Sequence, residues 1–197
     1  MHNTYSSENY NPNHIQDIYN TLNNSLAKHK RVTVLRFDVH IPHTSPDDPR
    51  IYRVTQFTKA FLGSLNAKLK SMTGKTVDLD YIWCKEHNLT SGAPMPHYHF
   101  ALFMDGNRFR SWGDYNYQGP SLKRCIEEAW ASALDYPIEE CRRGIQFGGV
   151  VTIDTYANRD CTAKYNEAVD MLSYLAKRYS KIQGQRCWGK SAQNHFR

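Results

Sequence analysis

The chain has 197 residues and a mass of 22.9 kDa, enough for one ordinary domain with a sizeable core and too few for large multidomain machinery. Apolar residues make up 40% and aromatics 13%, which excludes a disordered chain, and no apolar run approaches the roughly 20 residues of a membrane helix. Twenty-five Lys and Arg against nineteen Asp and Glu leave a net charge of +6, a surplus that suits a polyanionic partner without naming one.

Residues 1 to 14, dominated by Asn, Ser and Tyr, read as a flexible tail, and residues 15 to 197 as a single domain. From Ile15, the three-and-four spacing of Ile15, Ile18, Tyr19, Leu22 and Leu26 predicts an amphipathic helix. Residues 31 to 41 alternate: Leu35, Phe37, Val39 and Ile41 point to one face, and Arg36, Asp38 and His40 to the other, as in a strand. Val54, Phe57, Phe61, Leu65 and Leu69 mark a long helix that closes near Gly74. Two strands, 77 to 86 and 96 to 104, read as a hairpin across a Gly- and Pro-containing loop. The polar stretch 105 to 120 carries Arg108, Arg110 and Trp112, a set able to grip a nucleic-acid strand or to remain solvated. Ser121 caps a helix with Leu122, Ile126, Ala129, Trp130 and Ala133 on one side. A strand follows with a glycine pair, Gly148 and Gly149, that marks a bulge. A last helix runs from about Asn166 to Ser180, ahead of a basic tail. Strands without a crossover helix between every pair predict an α+β fold, an antiparallel sheet with helices on it.

Five cysteines, an odd number without C-x-x-C spacing, and an N-terminus lacking the regions of a signal peptide, predict reduced thiols in a cytoplasm. His97 and His99 lie two apart on a predicted strand, so both imidazoles project from one face and can reach one ion. Glu86, at the end of the preceding strand, can bring a carboxylate beside them. Such an open set of two nitrogens and one oxygen suits Mn²⁺ or Mg²⁺ beside a phosphate, and also Zn²⁺. On the last helix, Tyr165, Val169, Leu172, Ala176 and Tyr179 gather on the packing face by 100° steps, which leaves Tyr174, Lys177 and Asp170 on the opposite side. Tyr174 is thus an outward tyrosine with a lysine one turn away, able to neutralise a phosphate or a departing oxygen. That arrangement requires the helix to lie near the rim of the sheet.

Three signals fall in one order: a strand with polar residues, then Glu86 followed by His97-Tyr98-His99, then Tyr174-Leu175-Ala176-Lys177 on a late helix. That order resembles the HUH endonucleases, which initiate rolling-circle replication of small phages and plasmids. The Trp83-x-x-Glu86 spacing before PHYHF, and the phrase SYLAK, are most similar to the replication proteins of filamentous phages and their prophage-encoded relatives. The similarity spans about residues 31 to 190. It implies a five-stranded antiparallel sheet flanked by helices, with His97, His99 and Glu86 as ligands of Mg²⁺ or Mn²⁺; Asp38 and His40 are alternatives to Glu86. It further implies that Tyr174 attacks a DNA phosphate, forms a 5′-phosphotyrosine bond and releases a 3′-hydroxyl, with Lys177 as the lysine of a Y-x-x-K motif. The next tyrosine, Tyr179, is five residues on, so a single-tyrosine enzyme is expected. The implied substrate is single-stranded DNA or an origin hairpin in a bacterial host cell. No helicase domain is expected, so strand separation and synthesis would fall to a host or phage helicase and polymerase. DNA contacts are expected from Arg108, Arg110, Trp112, Lys181 and Arg186, with Arg142, Arg143 and Trp188 as further candidates. A DNA-binding protein that keeps the fold without catalysis, and a transposase of the same chemistry, are the competing readings.

Overall fold

A computed structural model describes residues 6, 8–42, 54–87, 96–113, 119–157, 160–178 and 186–192. Helix α1 spans Pro12–Lys28, β1 Arg31–His40, α2 Val54–Thr73, β2 Asp80–His87, β3 Pro96–Asp105 and α3 Leu122–Leu134. A short α4, Ile138–Arg143, leads into β4, Ile145–Asp154; then come α5, Cys161–Ser173, a 3₁₀ turn, Tyr174–Ala176, and β5, Trp188–Lys190. The strands form one antiparallel sheet in the order β4-β1-β3-β2-β5. The fold is therefore α+β, with a five-stranded antiparallel sheet and flanking helices.

Both faces of the sheet are covered. On one, Leu35, Phe37, Val39, Tyr98, Phe100 and Leu102 pack against Phe61, Leu65 and Leu69 of α2 and Ile126 and Trp130 of α3. On the other, Val32, Val34, Ile82, Ala101 and Phe103 pack against Ile18 and Leu22 of α1 and Ala168, Val169 and Leu172 of α5. The second face is apolar over only half its length. Along β1 it runs Val32, Val34, Arg36, Asp38, His40, and along β3 in the opposite direction Phe103, Ala101, His99, His97, with Asp38 level with His99 and His40 level with His97. The two polar halves therefore coincide, and that coincidence creates a polar cluster, the candidate site.

The glycine pair does form a bulge. Leu35 pairs with Val150 and Phe37 with Phe147, so β4 carries one more residue than β1 opposite Arg36. A Cβ on Gly148 would stand 2.9 Å from the Arg36 carbonyl oxygen, which explains why the position lacks a side chain.

Four elements differ from the sequence reading. The first helix begins at Pro12, capped by the Asn11 side chain accepting from the Asn13 N–H, and Asn11 N–H donates to Ala176 O at 2.9 Å. Residues 9–11 are thereby built into the fold, and Tyr10 forms a β-bridge with Lys177. The last helix starts five residues earlier than its apolar spacing indicates, and tightens to 3₁₀ after Ser173. The fifth strand, Trp188–Lys190, lies within the stretch read as a basic tail, because three residues are too few to show alternation. It seats against β2 through Gly189, where a Cβ would stand 2.4 Å from the Trp83 ring. Helix α4 has only six residues and leaves no periodic signal.

Candidate active site

Three strands deliver the polar cluster. Glu86 comes from the end of β2, paired with His97 of β3, and His99 follows two residues along the same face. One ligand atom from each of Glu86, His97 and His99 lies within 4.8 Å of the other two. Glu86 Oε2 is 3.1 Å from His99 Nε2 and 3.6 Å from His97 Nε2. Glu86 and His99 are almost wholly buried, at 4% and 3% exposure, while His97 is partly exposed. Two imidazoles and a buried carboxylate converging on one point are a fitting donor set for a divalent ion that keeps open positions. These three residues can hold a metal ion.

Asp38 supports this set from β1. Its Oδ1 accepts a 2.5 Å hydrogen bond from His99 Nδ1, which turns Nε2 towards Glu86 and His97. Burial opposes protonation of His99, but the hydrogen bonds and charges of Asp38 and Glu86 outweigh it and raise its pKa above the ordinary 6.5. Burial likewise opposes ionisation of Asp38, yet the hydrogen bond and charge of His99, followed by the charge of Arg36, hold its carboxyl below the usual range. Asp38 is thus a carboxylate oriented onto His99 Nδ1, beside the converging set of Glu86, His97 and His99. His40 stacks its ring on His97 at 5.1 Å, outside the converging set.

Tyr174 is brought to the same cluster. Its ring meets that of His99 edge-on, with centroids 5.3 Å apart and an 80° interplanar angle. Lys177 Nζ lies 3.8 Å from the centre of the Tyr174 ring, and the Arg36 guanidinium carbon 4.3 Å from it. A uniform helical wheel turns Tyr174 away from the packing face; the structure turns it towards the sheet. The reason is local. Helix α5 ends at Ser173, whose hydroxyl donates to Asp170 O at 2.8 Å, and in the tighter turn Leu175 and Ala176 are both fully buried. The helix need not sit at the rim, because the site lies on the face that α5 covers.

The residues expected to touch DNA are scattered. Arg108 follows the far end of β3, with His99 and Asp105 six steps or about 20 Å apart along the strand. Arg108 and Arg110 are exposed, on a loop whose Phe109 and Trp112 belong to the core on the opposite face of the sheet. Trp112 itself is 5% exposed, donates from Nε1 to Gly148 O and meets Phe37 edge-on, so it is a core residue and not a platform for bases. Arg142 pairs with Glu127 and Glu139. Trp188 stacks on His14 and donates to Asp17. Arg186 is exposed, with its guanidinium 5.8 Å from the Trp83 ring, while Lys181 and Tyr179 lie outside the described residues. Alternation along β1 puts Arg36 and Asp38 on the face that carries the cluster, although nothing in the sequence marks Arg36 for a role. Their two-residue spacing, matching that of His97 and His99, is the signal that links them.

Fold and site together define an α+β domain with a candidate centre of two histidines and one carboxylate beside a tyrosine. The family model of the YagK/YfjJ C-terminal domain matches residues 1–191, and the chain belongs to that family. It is 25% identical over 183 residues to the uncharacterized protein YfjJ of Escherichia coli strain K12, covering 85% of this chain and 86% of that relative. Among solved structures, the N-terminal nuclease domain of the minute virus of mice non-structural protein 1 overlays 96% of this chain and 79% of its own. The TM-score is 0.33 and the identity 9%, a likeness too distant to assign an activity.

Proposed function

We propose that the protein is a metal-dependent DNA nicking and joining enzyme of the HUH type, with Tyr174 as its nucleophile. The observation that carries this reading is the placement of the Tyr174 ring against His99, within the cluster of Glu86, His97 and His99. Sequence order alone could have left these residues on different faces.

Glu86, His97 and His99 would hold Mg²⁺ or Mn²⁺, and a bound ion would supply Lewis acidity to a phosphoryl oxygen. The remaining chemistry belongs to the chain. Tyr174 gives up its phenolic proton to solvent, and its oxygen forms a bond to phosphorus. The bond from phosphorus to the 3′ oxygen breaks, and that oxygen takes a proton and leaves as a 3′-hydroxyl. The 5′ phosphate stays on Tyr174. Because the phosphoester bond is exchanged and not hydrolysed, attack by a 3′-hydroxyl reverses the step without ATP. Lys177, over the tyrosine ring, supplies positive charge beside the transferred phosphate. Initiation of rolling-circle replication, with a separate helicase and polymerase, is the role such a step serves.

The test is incubation of the protein with Mn²⁺ and overlapping single-stranded oligonucleotides tiling the DNA around its own gene, followed by denaturing electrophoresis. A covalent protein-DNA band that requires the metal is expected. Its absence with every oligonucleotide and metal would leave a DNA-binding protein without catalysis.

A further inference from the structure

We infer that Arg36 is a positioning residue for the nucleophile: it holds the Tyr174 ring at the metal centre and ties that ring to His99 through Asp38. This deepens the nicking reading and rests on it.

Arg36 stands on the polar half of the α1/α5 face, one step along β1 from Asp38 on that face. Its guanidinium carbon lies 4.3 Å from the centre of the Tyr174 ring, within the range of a cation-π contact. Its Nη2 lies 3.3 Å from Asp38 Oδ2, while the other oxygen of Asp38 receives His99 Nδ1. One unbroken series of contacts therefore runs from Tyr174 through Arg36 and Asp38 to His99 and Glu86. The ring is held by groups from three sides: Arg36 on β1, Lys177 on its own turn and His99 on β3.

Stability alone accounts poorly for this arginine. Its side chain is only 21% exposed, and its Nε is buried with no hydrogen-bond partner among the described residues. An apolar side chain of similar length would stack on the ring without stranding a donor, and a stranded buried donor is destabilising. The backbone is also arranged around it, since the Gly148-Gly149 bulge lies directly opposite Arg36. Bulges are over-represented next to active sites, and this one faces the residue whose side chain reaches both the nucleophile and the support of His99. Lys177 can supply charge, but as a point charge on a flexible stem it cannot clamp a ring and a carboxylate at once, as a planar guanidinium can.

The experiment compares wild type, Arg36→Met and Arg36→Lys in three measurements. These are the single-turnover rate constant of adduct formation at saturating oligonucleotide and Mn²⁺, the Mn²⁺ affinity by calorimetry, and the Tyr174 ring resonance in protein carrying isotope-labelled tyrosine, assigned with Tyr174→Phe. Arg36→Met should slow adduct formation about a hundredfold, as expected for a nucleophile out of place by about an ångström, and Arg36→Lys should regain about a tenth of the wild-type rate. Mn²⁺ affinity should stay within about threefold, and the Tyr174 resonance should move in Arg36→Met. A rate within about threefold of wild type, or a loss repaired by raising Mn²⁺ or DNA, overturns the proposal, because a merely structural or metal-supporting role gives that pattern. An unmoved Tyr174 resonance overturns it as well. A wild-type protein that forms no adduct overturns the nicking reading instead, and the resonance still decides whether Arg36 holds the ring.

Discussion

The ring of Tyr174 stands edge-on to the ring of His99 at 5.3 Å, although 75 positions separate the two in the chain. A nucleophile placed there predicts that Tyr174→Phe lowers covalent adduct formation at least about a thousandfold while the fold melts as before. Tyr156→Phe, on the large hydrophobic side chain that is 76% exposed, should nick normally, and so should Tyr179→Phe. Denaturing gels with labelled DNA read all three, and an adduct that survives in Tyr174→Phe removes this tyrosine from the mechanism.

Metal should stabilise the protein through Glu86, His97 and His99. Binding to the folded state alone contributes about 2.7 kcal/mol at a ligand concentration of about 100 Kd, which for a domain of this size raises Tm by roughly 5–10 °C. Calorimetric scans with Mn²⁺ and then with chelator should show the rise and its loss. In Glu86→Gln the rise should shrink to less than half, and an undiminished rise would place the ion elsewhere.

The same rise should depend on pH. The folded-state pKa of His99 is above its ordinary 6.5, so in the metal-free protein its protonation contributes stability that is full below that value and is lost as pH rises through the raised one. A divalent ion needs the deprotonated ring and must displace this proton. The Mn²⁺-induced increase in Tm should therefore be larger at about pH 8 than at about pH 6, and equal increases would separate His99 from the ion.

Asp38→Asn keeps the shape of the side chain but removes the charge that faces His99 Nδ1. Groups that orient a ligating histidine typically contribute about 10–100-fold to metal affinity. Titration of Asp38→Asn with Mn²⁺ should show a loss of that order, with secondary structure unchanged by circular dichroism.

Two glycines should respond in opposite directions. Gly148→Ala brings a Cβ to 2.9 Å from the Arg36 carbonyl oxygen, a backbone atom that cannot step aside, and should cost about 1–3 kcal/mol. Gly63, inside α2, has no atom of another element within 4 Å of an added Cβ among the described residues, so Gly63→Ala should be neutral or stabilising by up to about 1 kcal/mol. Urea unfolding distinguishes them, and equal midpoints would deny the close approach at the bulge.

Much of the fold was legible because its signals are local. The 3.6-residue period across Phe57, Phe61, Leu65 and Leu69 marked α2, the cap at Ser121 marked the start of α3, and alternation through Leu35, Phe37 and Val39 marked β1. What escaped was short or depended on a partner. Trp188–Lys190 is a strand only because β2 accepts it, and residues 9–11 are ordered only because the segment after Tyr174 offers them backbone partners. Trp112 shows the same limit. An aromatic in a polar loop looks available to a ligand until the tertiary fold supplies Phe37, Phe147 and the Gly148 carbonyl to bury it.

The sequence by itself determined which groups share a strand face: His97 with His99, and Arg36 with Asp38 and His40, since side chains two apart must point the same way. It also placed Glu86 near the end of the strand before them. Only the tertiary structure decided that these faces are one surface, because the register that sets Asp38 beside His99 comes from pairing strands 61 positions apart. The direction of Tyr174 was likewise settled there. A wheel of constant pitch points it to solvent, but the burial of Leu175 and Ala176 tightens the last turn and lays its ring against His99.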